Sequence, residues 1–131
     1  MKLNKQANEI TINGEIYSLS DIEFIGTQNM YYVAVYGKNG EICHPSKNSV
    51  KDFTEIATIL QSEGIDNFVW LSGNILVNVN KIKKVSYNAS HVTIKTNNYT
   101  HTVNNACGAE ALYLLEKCQH QKNKSQEEIE R

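Results

Sequence analysis

The chain has 131 residues, 40% of them hydrophobic and 21% charged, with a formal net charge of −1. That length is expected to make one domain, and no stretch approaches the roughly 20 consecutive apolar residues of a membrane-spanning helix. Met1 to Asn8 lacks the apolar centre of a secretory signal, and Cys43, Cys107 and Cys118 cannot all pair with one another, so a cytoplasmic protein is expected rather than a disulfide-built secreted one.

After an N-terminal extension over 1–8, Ile10 and Ile12 alternate with polar residues, and Asn13-Gly14 favours the positive φ values of a tight hairpin turn. Ile16, Tyr17 and Leu19 form the return strand. Ile22, Phe24 and Ile25 open a second apolar stretch. Met30 to Tyr36 then turns at Gly37-Lys38-Asn39-Gly40 into Glu41 to Cys43, a second hairpin that Pro45 closes for want of an amide hydrogen. Ser49 and Asp52 have the form of a capping box, and Phe53, Ile56, Ala57 and Leu60 recur at helical spacing until Gly64 stops the helix. From Asn67 the period returns to two. Phe68 to Leu71, Ile75 to Val77, Lys81 to Tyr87, His91 to Thr96 and Tyr99 to Val103 are predicted strands. Their turns fall at Ser72-Gly73-Asn74, Asn88-Ala89-Ser90 and Asn97-Asn98. A closing helix is predicted over about Ala106 to Gln119, with Ala111, Leu112, Leu115 and Cys118 on its apolar stripe and Cys107 on or beside it. The domain is expected over 9–120, followed by a flexible polar tail over 121–131. The expected fold class is mainly β with short α: antiparallel sheets and hairpins, one mid-chain helix and a C-terminal helix.

Charge is distributed unevenly along these elements. Lys2 to Asp66 carries nine acids against five lysines, whereas residues 67 to 109 carry Lys81, Lys83, Lys84 and Lys95 and no acid. Charge alone fits two descriptions: a basic face for a polyanion, or a solvated sheet face that uses Asn and Thr. Alternation sets His91, Thr93 and Lys95 on one side of their strand and Val92 and Ile94 on the other, toward the core.

The chemistry of an enzyme is not evident. No Walker loop, GxGxxG, GxSxG or HExxH occurs, and the pairs Cys43-His44 and Cys118/His120 lack metal-ligand spacing. No general base is marked for any cysteine. The expectation is no catalysis, no metal and no cofactor.

The segment Phe68-Val69-Trp70-Leu71-Ser72-Gly73-Asn74-Ile75-Leu76-Val77-Asn78 resembles the central motif of LytTR DNA-binding domains, roughly F-x-R-I-H-R-S-[YF]-[LIV]-V-N. Phe68, Leu71, Leu76, Val77 and Asn78 match, and Ile82 follows at the expected distance. Asp21-Ile22-Glu23-Phe24-Ile25 is similar to the family's D-I-x-Y-I segment. The following hairpin, the helix from Ser49 and the last strands share its layout, so the resemblance spans about residues 9 to 118. It implies a stand-alone domain of a bacterial transcriptional regulator that contacts successive major grooves of double-stranded DNA through loops, at paired direct repeats. Serine, glycine and asparagine stand at Ser72, Gly73 and Asn74, where the family often has His, Arg and Ser, and Asn104 replaces an arginine usual after the last strand.

The candidate base contacts are therefore Ser72, Gly73, Asn74, Asn97 and Asn104, with Asn74 and Asn104 able to offer an amide to adenine and so favour A·T-rich sites. Lys81, Lys83, Lys84, Lys95 and His91 are the candidate phosphate contacts. For Asn97 and Asn98 the competing expectation is a hairpin turn and nothing more, and for Asn78 a structural hydrogen-bonding residue. Trp70 is expected to pack, or, if exposed, to stack or meet a protein. Four phosphate contacts are modest for one subunit, so a homodimer or tandem occupancy is expected. The missing arginines motivate a second reading, a degenerate interaction domain that binds another regulatory protein.

Overall fold

A computed structural model of the protein describes residues 1–104 and 108–130, with side chains up to residue 122. Cys107, the predicted helix start at Ala106, and the side chains of the acidic tail lie outside the described residues.

Eleven strands form three antiparallel sheets. The first holds β1 (Lys2–Asn4), β2 (Glu9–Ile12) and β3 (Glu15–Ser18) in that order. Residues 2–4 of the N-terminal extension thus form a strand, paired to β2 through Leu3 opposite Ile10. At the β2–β3 turn Asn13 and Gly14 adopt φ values of 50° and 82°, the left-handed pair that a two-residue hairpin requires. The second sheet has the order β6-β5-β4-β8-β7, built from β4 (Ile22–Gln28), β5 (Tyr32–Gly37), β6 (Gly40–Pro45), β7 (Phe68–Leu71) and β8 (Ile75–Asn78). Gly37 ends β5 where a Cβ would lie 2.5 Å from the Asp21 carbonyl oxygen, so no larger residue fits there. The third sheet, β11-β10-β9, comprises β9 (Ile82–Tyr87), β10 (His91–Thr96) and β11 (Thr100–Asn104).

The central five-stranded sheet divides the interior in two. Its period of two sends Ile25, Val33, Val35 and Leu76 to one face, where they pack with Ile10 and Ile12 of the first sheet and with Phe53, Ile56 and Leu60 of helix α1 (Ser49–Ser62). Phe24, Ile75 and Val77 go to the other face and pack with Val92, Ile94 and Val103 of the third sheet and Ala111 and Leu114 of helix α2 (Gly108–Glu130). A sheet covered on both faces needs apolar residues at consecutive positions, which accounts for the unbroken Ile75-Leu76-Val77 run.

Both helices depart from expectation in detail. The cap of α1 is Asn48, whose side chain accepts from the Lys51 amide at 3.2 Å, because the Ser49 hydroxyl is donated to the Asn29 carbonyl at 2.8 Å. Its C-terminus is closed as predicted by Gly64 (φ 75°), with the Ile65 amide donating to Leu60 and the Gly64 amide to Gln61. On α2 the buried stripe is Ala111 and Leu114, followed by half-buried Cys118, and Leu112 and Leu115 are 55% and 43% exposed. The predicted Leu112 and Leu115 therefore give way to Leu114, since the third sheet meets the helix along the 111–114–118 line.

Candidate nucleic-acid interface

The outer face of the third sheet follows from its register. Lys95 stands opposite both Lys84 on β9 and Thr100 on β11, Thr93 opposite Ser86 and Thr102, and His91 opposite Asn104. Residues opposite one another in antiparallel strands point to the same side. Lys84, Ser86, His91, Thr93, Lys95, Thr100, Thr102 and Asn104 thus share one face, while Val92, Ile94 and Val103 point inward to the core. The predicted alternation of His91, Thr93 and Lys95 holds. Lys83 is the extra residue of a bulge, skipped between the pairs Lys95–Lys84 and Thr96–Ile82, and it too is exposed. Among the described residues the one lysine–carboxylate ion pair is Lys38–Asp21, so Lys83, Lys84 and Lys95 have no carboxylate within ion-pair distance there.

Like charges directly opposite on a sheet are destabilising, and a carboxylate across from either lysine would relieve the cost. The face instead offers hydroxyls, amides and an imidazole. Thr93 and Thr102 hydroxyls lie 3.4 Å apart, and the His91 ring is held by the Ser90 hydroxyl at 2.7 Å and by Asn88.

The remaining predicted residues are dispersed around this face. Lys81 sits half-buried in a 3₁₀ turn (Val79–Lys81), where its charge favours ionised Glu23. His101 points inward, its ring 5.7 Å from that of Phe24, and burial holds its pKa below the ordinary value, which withdraws it from the basic face. Asn97 is exposed in the β10–β11 turn, at the far end of the hairpin from Asn104, about 17 Å along the strand. The neighbouring Asn98 clamps the third sheet to the second: its amide donates to Glu23 Oε1 at 2.8 Å and its side chain to Oε2 at 2.6 Å. Glu23 is 2% exposed. Burial pushes its carboxyl up, but hydrogen bonds from Thr96 and Asn98, with help from Lys81, outweigh that and leave it below the usual range.

The Ser72-Gly73-Asn74 turn joins β7 to β8, with Gly73 at φ 85° and Asn74 at φ 56°. It is tied to the start of α2, because Glu110 Oε1 accepts from the Ser72 hydroxyl at 2.7 Å and from its amide at 3.3 Å. Asn78 is wholly structural. It is 1% exposed, donates to the Ile22 carbonyl at 2.9 Å and accepts from Asn67 and from the Asn80 amide.

Sequence reasoning missed Glu23 and Glu110. Glu23 is legible in hindsight as an acid inside the run Ile22-Glu23-Phe24-Ile25, where a charge survives only with partners. Glu110 gives no such signal, since its partner is 38 residues away.

A scan against models of known families and a search of curated proteins give no match. Among solved structures, the fold is similar to the LytTr DNA-binding domain of a Bacillus cereus protein described as a methyl-accepting/DNA response regulator. The TM-score is 0.57 at 16% identity, over 82% of this chain and 94% of that one. The mainly β architecture, the order of its elements and this likeness agree with the resemblance carried by Phe68 to Asn78: the chain has a LytTR-type fold.

Proposed function

We propose that the protein is a non-enzymatic DNA-binding transcriptional regulator of the bacterial cytoplasm, made of a LytTR-like domain over 9–120 and a polar tail over 121–131. The single observation that carries this reading is the placement of Lys84 directly opposite Lys95 with, among the described residues, no carboxylate within ion-pair distance of either. A fold that tolerates such a pair on an otherwise acid-free face is arranged for an anion. Lys83, Lys84, Lys95 and His91 are assigned to phosphate, with Lys81 contributing less because it also serves Glu23. Ser72, Gly73 and Asn74 of the β7–β8 turn and Asn104 at the end of β11 are assigned to base edges, and Asn97 to the flank. The Asn74 and Asn104 amides favour adenine, so the preferred duplex is A·T-rich, occupied as direct repeats by two copies.

Selection of bound duplexes from a random library, at low salt, tests the proposal. Enrichment of A·T-rich repeats supports it, and a flat selection refutes base reading. One observation favours a second reading, a domain that modulates another regulator through protein contact. Glu110 occupies Ser72 and brings negative charge to the turn that would meet DNA. Absence of binding to any duplex, together with a stoichiometric complex with a regulatory protein, would establish that alternative.

A further inference from the structure

The contact between Glu110 and Ser72 fixes more than the shape of the β7–β8 turn. A glutamate in the first turn of a helix ordinarily faces that helix's own free amides or solvent. Glu110 stands in the first turn of α2, yet it reaches a residue 38 positions away in the chain. Its Oε1 accepts from the Ser72 hydroxyl at 2.7 Å and from the Ser72 amide at 3.3 Å. Its Oε2 is buried and has no hydrogen-bond partner among the described residues, so no second donor there draws the carboxylate away from Ser72. The helix holds Glu110 in place, because Ala111 and Leu114 are wholly buried against the third sheet just beyond it. Ser72 itself stays exposed, in a turn whose Gly73 and Asn74 take left-handed φ values.

A hydroxyl has one hydrogen and two lone pairs, and a backbone amide has one hydrogen. With both hydrogens committed to Glu110, what Ser72 turns outward is the remaining lone-pair capacity of Oγ. Donation to a carboxylate polarises the hydroxyl and makes its oxygen a better acceptor. In the major groove the hydrogen donors are the amino groups of adenine (N6) and cytosine (N4), whereas guanine and thymine present acceptors there. We propose that Glu110 is a specificity-determining residue: by taking the Ser72 hydrogens it makes Ser72 an acceptor that selects an amino base, adenine or cytosine, at one position of the site. It is a positioning residue, acting through Ser72 without touching DNA. This role rests on the assignment of Ser72 to a base edge and sharpens it, since a serine free to rotate its hydroxyl serves either kind of base. Charge works in the same direction, because a carboxylate behind the hydroxyl repels the carbonyl oxygens of guanine and thymine and attracts an amino edge.

Parallel selections from a random duplex library with the parent, Glu110→Ala, Glu110→Gln and Ser72→Ala test this. The parent should enrich adenine and cytosine over guanine and thymine at one position by about three- to tenfold, the discrimination of a single hydrogen bond. Ser72→Ala should lose that preference and so identify the position. Glu110→Ala frees the hydroxyl to donate and should lose it too, while the other positions of the motif keep theirs. Glu110→Gln should retain it, because the Ser72 amide demands an acceptor and so turns the carboxamide oxygen toward itself. Glu110→Asp, one methylene too short to reach both donors, serves if Glu110→Ala does not fold by circular dichroism. A motif that the parent shares with Glu110→Ala, or a Ser72-dependent position that holds guanine or thymine, overturns this role and leaves base reading intact. So does loss of the preference in a folded Glu110→Gln. A flat selection by the parent overturns both.

Discussion

Replacing Lys95 by glutamate should make the protein more stable and worse at binding DNA. In the folded chain Lys95 faces Lys84 across adjacent strands, and no carboxylate among the described residues screens the pair. Converting a like-charge pair to an opposite pair on an exposed sheet contributes about 0.2–1 kcal/mol. For a domain of this size that raises the melting temperature by about 1 to 4 °C. The functional term has the opposite sign. With Lys83, Lys84 and Lys95 each neutralising one phosphate, the log–log salt slope is about −2.7, so affinity falls about fortyfold between 50 and 200 mM salt. Lys95→Glu removes one contact and repels a second, which should bring the slope to about −1 and the loss across the same range to about fourfold. Fluorescence anisotropy on an A·T-rich duplex over that salt series, beside thermal melts of both proteins, measures the two terms separately. An unchanged salt slope, or a variant less stable than the parent, would refute the assignment of this face to phosphate.

Three further outcomes follow from the buried polar groups. Asn78→Ala leaves the Ile22 carbonyl without its buried donor and should cost about 2–4 kcal/mol, read as a lower urea midpoint at unchanged m-value, without altering the DNA salt slope of the folded fraction. Glu23→Gln removes the charge that receives both Asn98 donors; about 1–3 kcal/mol should be lost, and hydrogen exchange should rise first at the Asn98 amide if the clamp holds the third sheet in place. His44 and His101 are both held below the ordinary histidine value of 6.5, chiefly by burial, so the folded protein keeps them neutral while the unfolded chain takes up protons. Their contribution is therefore fully present above about pH 6.5 and is lost as pH falls below it, and melting temperatures across pH 7.5 to 5 should decline less steeply for His44→Gln combined with His101→Gln than for the parent; parallel curves would exclude these groups as the cause.

His44 also illustrates how a titrating group is positioned across sheets. Its ring nitrogen is 2.5 Å from the Tyr17 hydroxyl, which joins β6 to β3, and Glu15 lies 3.9 Å away. Burial, with Glu15 beside it, pushes the Tyr17 hydroxyl up to about 12, so the phenol stays protonated and available to donate to a neutral imidazole.

Local physics made much of this protein legible from its residues alone. The hairpins at Asn13-Gly14 and Lys38-Asn39, the Gly64 helix stop, the inward Val92 and Ile94 and the outward His91, Thr93 and Lys95 all follow from turn chemistry and from a side-chain period of two, properties of a few consecutive residues. The motif from Phe68 to Asn78 pointed to the fold through its resemblance to the LytTR motif, which matches at Phe68, Leu71, Leu76, Val77 and Asn78. What remained hidden depends on partners distant in the chain. Ser49 lost the cap of α1 to Asn48 because Asn29 claims its hydroxyl, and Leu114 displaced Leu112 and Leu115 because the third sheet approaches α2 from one side. The candidate interface divides along the same line. Its basic character is written in the sequence from 67 to 109, but the opposition of Lys84 to Lys95, the hold of Glu110 on Ser72 and the withdrawal of His101 into the core arise only when strands pair and sheets stack. Pairing partners are set by the packing of the whole chain, and no local pattern encodes them.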